Sequence, residues 1–168
     1  MKLFYLKINW LQIKMVLVIA SAIVMVNYVS AAQFSLKSLK PADTSVRIQT
    51  NDLATVTMIF QPECSWCKKQ GITMAKVFEQ CNDSINVALI GANGNRRQLK
   101  QTLKNYHNAI PAFIADSKFL RSIGGYQASP TTLIYDGSGE LLLKKRGYVA
   151  EDKLRSALQI LSQGACKI

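Results

Sequence analysis

Met58-Ile59-Phe60-Gln61-Pro62-Glu63-Cys64-Ser65-Trp66-Cys67-Lys68-Lys69 is the stretch whose reading decides the fold. Ala54 to Phe60 is rich in β-branched residues and reads as a buried central strand, which Pro62 ends. After the cysteines, Met74, Val77, Phe78 and Cys81 recur at the i, i+3, i+4, i+7 spacing of one helix face. The spacing predicts a helix over 64–81, which Gly71 weakens enough to allow a kink or short break. A C-x-x-C pair between a strand and a helix reads as a redox dithiol. At the first turn of a helix, unpaired N–H groups and the macrodipole favour a thiolate on Cys64. Cys67, one turn further in, is then placed to attack a mixed disulfide formed at Cys64.

Outward from that stretch the pattern alternates between strand and helix. Ile85 to Ile90 reads as a second buried strand, closed by Gly91-Ala92-Asn93-Gly94-Asn95. Leu99, Leu103 and Tyr106 predict a helix over 96–107, with His107 as a helix-end residue rather than a ligand. Ile110 to Asp116 is short and extended, and Lys118 to Ile123 is a helical turn or two that Gly124-Gly125 stops. Thr131 to Tyr135 and Glu140 to Arg146 form a hairpin about Asp136-Gly137-Ser138-Gly139. A last helix spans about 151–163, with Leu154, Ala157, Leu158 and Leu161 on its apolar face. Upstream, 33–53 is a lead-in segment in which Phe34, Leu36 and Leu39 can pack and Val46-Arg47-Ile48 is a strand candidate. Together these predict one α/β domain over 54–168, a central mixed β-sheet flanked by helices.

The chain has 168 residues, 49% of them hydrophobic, enough for one ordinary domain plus a leader. Lys2, Lys7 and Lys14, then the apolar run Met15 to Val29, then Ser30-Ala31-Ala32 read as a secretory signal peptide or an N-terminal membrane anchor over 1–32. The anchor alternative places residues 15–32 in the membrane. Either way the globular part is expected to be exported, to a periplasm or another secretory destination, where disulfides form and persist. The formal charge of +11 comes from 21 Lys+Arg against 10 Asp+Glu. The lysines are scattered rather than clustered, so a solvated basic surface is the first reading and an acidic partner or membrane surface the second. No nucleic-acid partner is expected.

The order strand, C-x-x-C at a helix start, strand, helix, then X-Pro-Thr entering a hairpin and a closing helix resembles the thioredoxin fold. Ile110-Pro111-Ala112, Asp116 and Ile123-Gly124-Gly125-Tyr126-Gln127-Ala128-Ser129-Pro130-Thr131-Thr132-Leu133-Ile134-Tyr135-Asp136 resemble the exported TlpA/ResA-like thiol-disulfide oxidoreductases. The resemblance covers about residues 54–162. It implies a cis Pro130 facing the dithiol, with Ser129 presenting backbone groups to a substrate strand. Trp66 reads either as a shield for the sulfurs on a docking surface or as plain surface packing. The resemblance also implies that the active-site helix and the last helix lie on one face with their C-terminal ends adjacent. That predicts a structural Cys81–Cys166 disulfide; the alternative is a buried free Cys81 and a free Cys166 in the tail.

The chain departs from the family at two points. Trp66 lies inside the motif, where the family has Trp before it, and the preceding strand lacks the buried acid that thioredoxin uses for proton transfer. Glu63 is the nearest carboxylate and the candidate for that role. The expected activity is reduction or isomerisation of disulfides in other exported, cysteine-containing proteins, fed by a membrane thiol reductase. No cofactor and no metal are expected. Haem attachment needs His after Cys67, where Lys68 stands, and structural zinc needs two more suitably spaced ligands. The alternatives are a disulfide-donating oxidant of the same fold, and a non-enzymatic copper-handling or protein-docking module, since thiolates hold Cu(I).

Overall fold

The computed structural model describes residues 35–40, 46–47 and 51–167. The leader expected over 1–32, Phe34 and Ile48 lie outside the described residues. No helix among the described residues is long and apolar enough to cross a membrane.

The strands are β1 (Ser35–Ser38), β2 (Val46–Arg47), β3 (Thr55–Phe60), β4 (Asn86–Gly91), β5 (Ala112–Ile114), β6 (Thr131–Tyr135) and β7 (Leu141–Arg146). They form a mixed sheet in the order β2-β1-β5-β4-β3-β6-β7. β3 is central: it runs parallel to β4 and antiparallel to β6, and all six of its residues are buried. A strand covered on both faces must be apolar or hydroxyl-bearing throughout, as Thr-Val-Thr-Met-Ile-Phe is. β1 pairs antiparallel with β5, so the sheet extends upstream of residue 54. Leu36 and Leu39 of that upstream segment are each 1% exposed.

The helices are α1 (Ser65–Cys81), α2 (Arg96–Leu103), α3 (Ser117–Ser122) and α4 (Glu151–Leu161). One core packs Met74, Val77 and Cys81 of α1, Leu99 of α2 and Leu154 and Leu158 of α4 against Val56 and Met58. The other packs Phe119 of α3 with Ile59, Ile90, Phe113 and Leu133. Alternate residues of β3 therefore feed opposite cores, as strand pleating requires.

Two helix expectations need correction. α1 runs unbroken through Gly71. A Cβ there would lie 2.4 Å from the Tyr106 ring, so the glycine serves a close approach rather than a kink. Gly71→Ala is expected to destabilise the protein by about 1–3 kcal/mol despite alanine's better helix propensity. An unchanged denaturation midpoint would show that the ring moves aside freely. α2 ends at Leu103, not near 107. Tyr106 leaves the helix to pack edge-on against Phe60, with centroids 5.3 Å apart. His107 consequently sits outside any helix, with Nε2 3.3 Å from the Glu79 carboxylate. Its Nδ1 accepts from the Ala109 N–H.

Burial gives the fold an alkaline limit. Tyr106 and Tyr135 are buried, and desolvation pushes both phenols well above the ordinary 10.0. A raised folded-state value means that the stability is complete below pH 10 and is lost as pH rises towards the folded values. Denaturation midpoints measured across the alkaline range are expected to fall beyond about pH 10. Tyr135→Phe should make that fall shallower; identical slopes would refute the assignment.

Candidate active site

Strand register brings three loops to one edge of the sheet. β6 enters antiparallel to β3 with Thr131 opposite Ile59, which sets Pro130 level with Phe60, just before the cysteine turn. Arg146 of β7 pairs with Thr131, and the Gly147 N–H donates to the Pro130 carbonyl at 2.8 Å. The segments around 61–67, 126–130 and 147–149 thus meet where β3 ends. The Ser129–Pro130 peptide bond is cis, Pro130 is buried and Ser129 is half-buried.

Cys64 is the N-cap of α1, and its Sγ accepts the Cys67 backbone N–H at 3.1 Å. A side-chain acceptor at this position satisfies one of the unpaired amides of the first turn. Sulfur is a weak acceptor as a thiol and a strong one as a thiolate, so the helix start favours the ionised form of reduced Cys64. The first turn carries no acid. Cys64 and Cys67 are joined as a disulfide. Cys64 is half-exposed and Cys67 is 0% exposed, so an incoming sulfur meets Cys64 first.

Trp66 is 57% exposed. Its ring lies 5.8 Å from that of Tyr148, and the Lys69 Nζ stands 5.3 Å from the Trp66 centroid and 4.5 Å from that of Tyr148. Cation–π contacts at exposed sites are worth about 0.5–1 kcal/mol each. They hold the exposed Trp66 ring against Tyr148. Glu63 is exposed, has a positive φ of 58°, and shares an open polar cleft with Asn95 and Arg97.

Sequence reasoning missed several residues that shape this edge. The Tyr126 hydroxyl donates to Gln61 Oε1 at 3.1 Å and is also hydrogen-bonded to Ser129 Oγ. A phenol has one proton to give, so Ser129 donates to Tyr126 and Tyr126 to Gln61. Asn93 Nδ2 completes the chain at 3.5 Å from Gln61 Oε1. Burial raises the Tyr126 phenol, and the bond to Ser129 partly opposes that. Gln70 is fully buried, and its Oε1 accepts the Val149 N–H at 2.7 Å, tying α1 to the loop before α4. A signal for it existed: a polar residue three positions after Cys67, inside an apolar helix face. At the far end of α1, Cys81 is disulfide-bonded to Cys166, each 1% exposed.

No protein-family model and no curated protein matches the chain. Solved structures do match in shape. A thiol:disulfide interchange protein of the thioredoxin family from Chlorobium tepidum superposes with a TM-score of 0.68 at 17% identity, over 79% of this chain and 95% of that one. An exposed lipoprotein thioredoxin from Streptococcus pneumoniae gives 0.66 at 19%, over 77% and 100%. A secreted disulfide oxidoreductase of Mycobacterium tuberculosis gives 0.63 at 13%, over 77% and 96%. Likeness at these identities speaks to architecture, and with the strand order and the helix-capping cysteine already described, the chain has the thioredoxin fold.

Proposed function

We propose that this protein is an exported thiol-disulfide oxidoreductase that reduces or isomerises disulfides in other exported proteins. The observation that carries the reading is Cys64 itself: half-exposed, at a helix N-cap, accepting a backbone N–H, and bonded to a buried Cys67. Export is supported by the leader pattern over 1–32 and by the exposed and secreted neighbours.

In the reducing direction the Cys64 thiolate attacks one sulfur of a substrate disulfide. A Cys64–substrate bond forms and the other substrate sulfur leaves as a thiolate. Cys67 then loses its proton and attacks Cys64 Sγ, which closes the Cys64–Cys67 disulfide and releases the second substrate thiol. Two electrons pass to the substrate, and a membrane thiol reductase restores the dithiol. Glu63, the nearest carboxylate in the sequence and exposed, is our candidate for passing the Cys67 proton to water. Ser129 and the cis Pro130, brought by strand register to the edge where the cysteine turn begins, are assigned as the place for a substrate strand, with Trp66 and Tyr148 as its apolar contact.

Insulin reduction, combined with redox titration of the Cys64–Cys67 pair, tests this reading. A potential near −270 mV, about that of thioredoxin, fits a reductant. A value near −120 mV, about that of strong oxidants, would reverse the direction to disulfide donation. The absence of any reversible couple would remove the enzymatic reading altogether.

A further inference from the structure

β6 and β7 build a second feature close to the dithiol. Thr132 pairs with Lys145 and Ile134 with Leu143, so these four side chains share one face of the hairpin. Leu154 and Lys153 of α4 close the far side and Tyr148 closes one end, around a cleft of about 280 Å³. Its floor is apolar, and Leu143 is 43% exposed. No acidic residue lines it. Lys145 and Lys153 are exposed, and neither is ion-paired among the described residues. Thr132 is 1% exposed, yet its hydroxyl has no hydrogen-bond partner among the described residues. A buried hydroxyl without a partner is unusual, and Thr132 is among the residues that line the cleft.

We infer that this cleft is a docking subsite for the substrate polypeptide, taking an aromatic side chain with an acidic residue beside it. The inference rests on the thiol-exchange reading above and names the substrate class for it. A dry cavity of ~150 Å³ holds benzene, so the larger volume here admits an aromatic ring with space for polar flanks. The ring packs on Ile134, Leu143 and Leu154 and meets the Tyr148 ring, in the geometry that aromatic pairs favour. Lys145 and Lys153 face the carboxylate. The cleft communicates with the sulfurs through one residue. Tyr148 walls it on one side and on the other packs against Trp66, which lies between the two cysteines. One polypeptide can therefore engage both.

The test uses the full chain and two cysteine-free fluorescent peptides, one carrying Phe-Asp-Asp and the other Phe-Lys-Lys in the same frame. Anisotropy should show saturable binding of the acidic peptide only, weakened about tenfold in Lys145→Glu/Lys153→Glu. Disulfide-linked versions extend the test to turnover. The rate on the acidic peptide, relative to that on uncharged 2-hydroxyethyl disulfide, should fall about tenfold in the double variant through KM. Equal binding of the acidic peptide by wild type and double variant would overturn the inference. So would benzoate binding as tightly as the peptide, which marks a small-molecule site, or self-association that the double variant abolishes, which marks a second copy. Inertness of the wild type towards 2-hydroxyethyl disulfide would instead strike the thiol-exchange reading, because peptide binding is read without any redox step.

Discussion

Cys64→Ser is expected to abolish insulin reduction, with a loss on the order of 10³-fold or more, since the nucleophile itself is removed. The serine can still cap α1, so the fold should survive and the loss should be chemical. Cys67→Ser should behave differently. Its Cys64 keeps the half-exposed position and the helix-start environment, so the first attack proceeds and the mixed disulfide accumulates for want of a resolving thiol. Non-reducing electrophoresis after incubation with a disulfide substrate would reveal a covalent adduct in Cys67→Ser and none in Cys64→Ser. An adduct in both, or equal turnover in both, would reject the assigned order of attack.

Removing the other disulfide should cost stability rather than chemistry. Cys81 ends α1 and Cys64 caps its start, so seventeen residues at a rise of ~1.5 Å put the two about 25 Å apart. The Cys81–Cys166 bond closes a loop with a sequence separation of 85. By the chain-entropy model such a closure is worth about 4–5 kcal/mol. Cys81→Ala/Cys166→Ala is expected to lower the melting temperature by roughly 10–20 °C. At 25 °C the rate on a small disulfide should stay within about twofold, because the exchange site lies at the other end of the helix. Circular dichroism melts decide it, and a shift below about 2 °C would mean that the tail is held without the bond.

How much of this was legible depended on whether the information was periodic. β3, α1 and the hairpin were readable because their apolar residues recur at strand or helix spacing over many positions. β1 was faint, since Ser-Leu-Lys-Ser offers one alternation and its partner, β5, lies far along the chain. The helix at 96–107 was drawn too long for the same reason that it was seen at all. Tyr106 falls at the right spacing, but its ring is claimed by Phe60 and the gap above Gly71. That one contact also explains why Gly71 looked like a weakness. The C-x-x-C pair was legible as chemistry, whereas its surroundings were not. Tyr126 bonds to Gln61 across 65 positions and Gln70 to Val149 across 79, and no local pattern encodes such partners. Cys81 and Cys166 became a pair only once α1, which Cys81 ends, and α4, which Cys166 follows, were placed on one face.

The hydrogen-bond chain from Ser129 through Tyr126 to Gln61 and Asn93 ties the loop before Pro130 to the segment before Cys64 and to the loop after β4. It makes the mouth of the site a braced frame rather than a pair of jaws. A braced frame has nothing to open before a partner enters. Capture of a substrate should therefore follow simple second-order kinetics, with an observed rate that rises linearly with substrate concentration and shows no plateau from a gating step. Selectivity would then lie in how partners meet the surface, and throughput in how quickly sulfur is handed on.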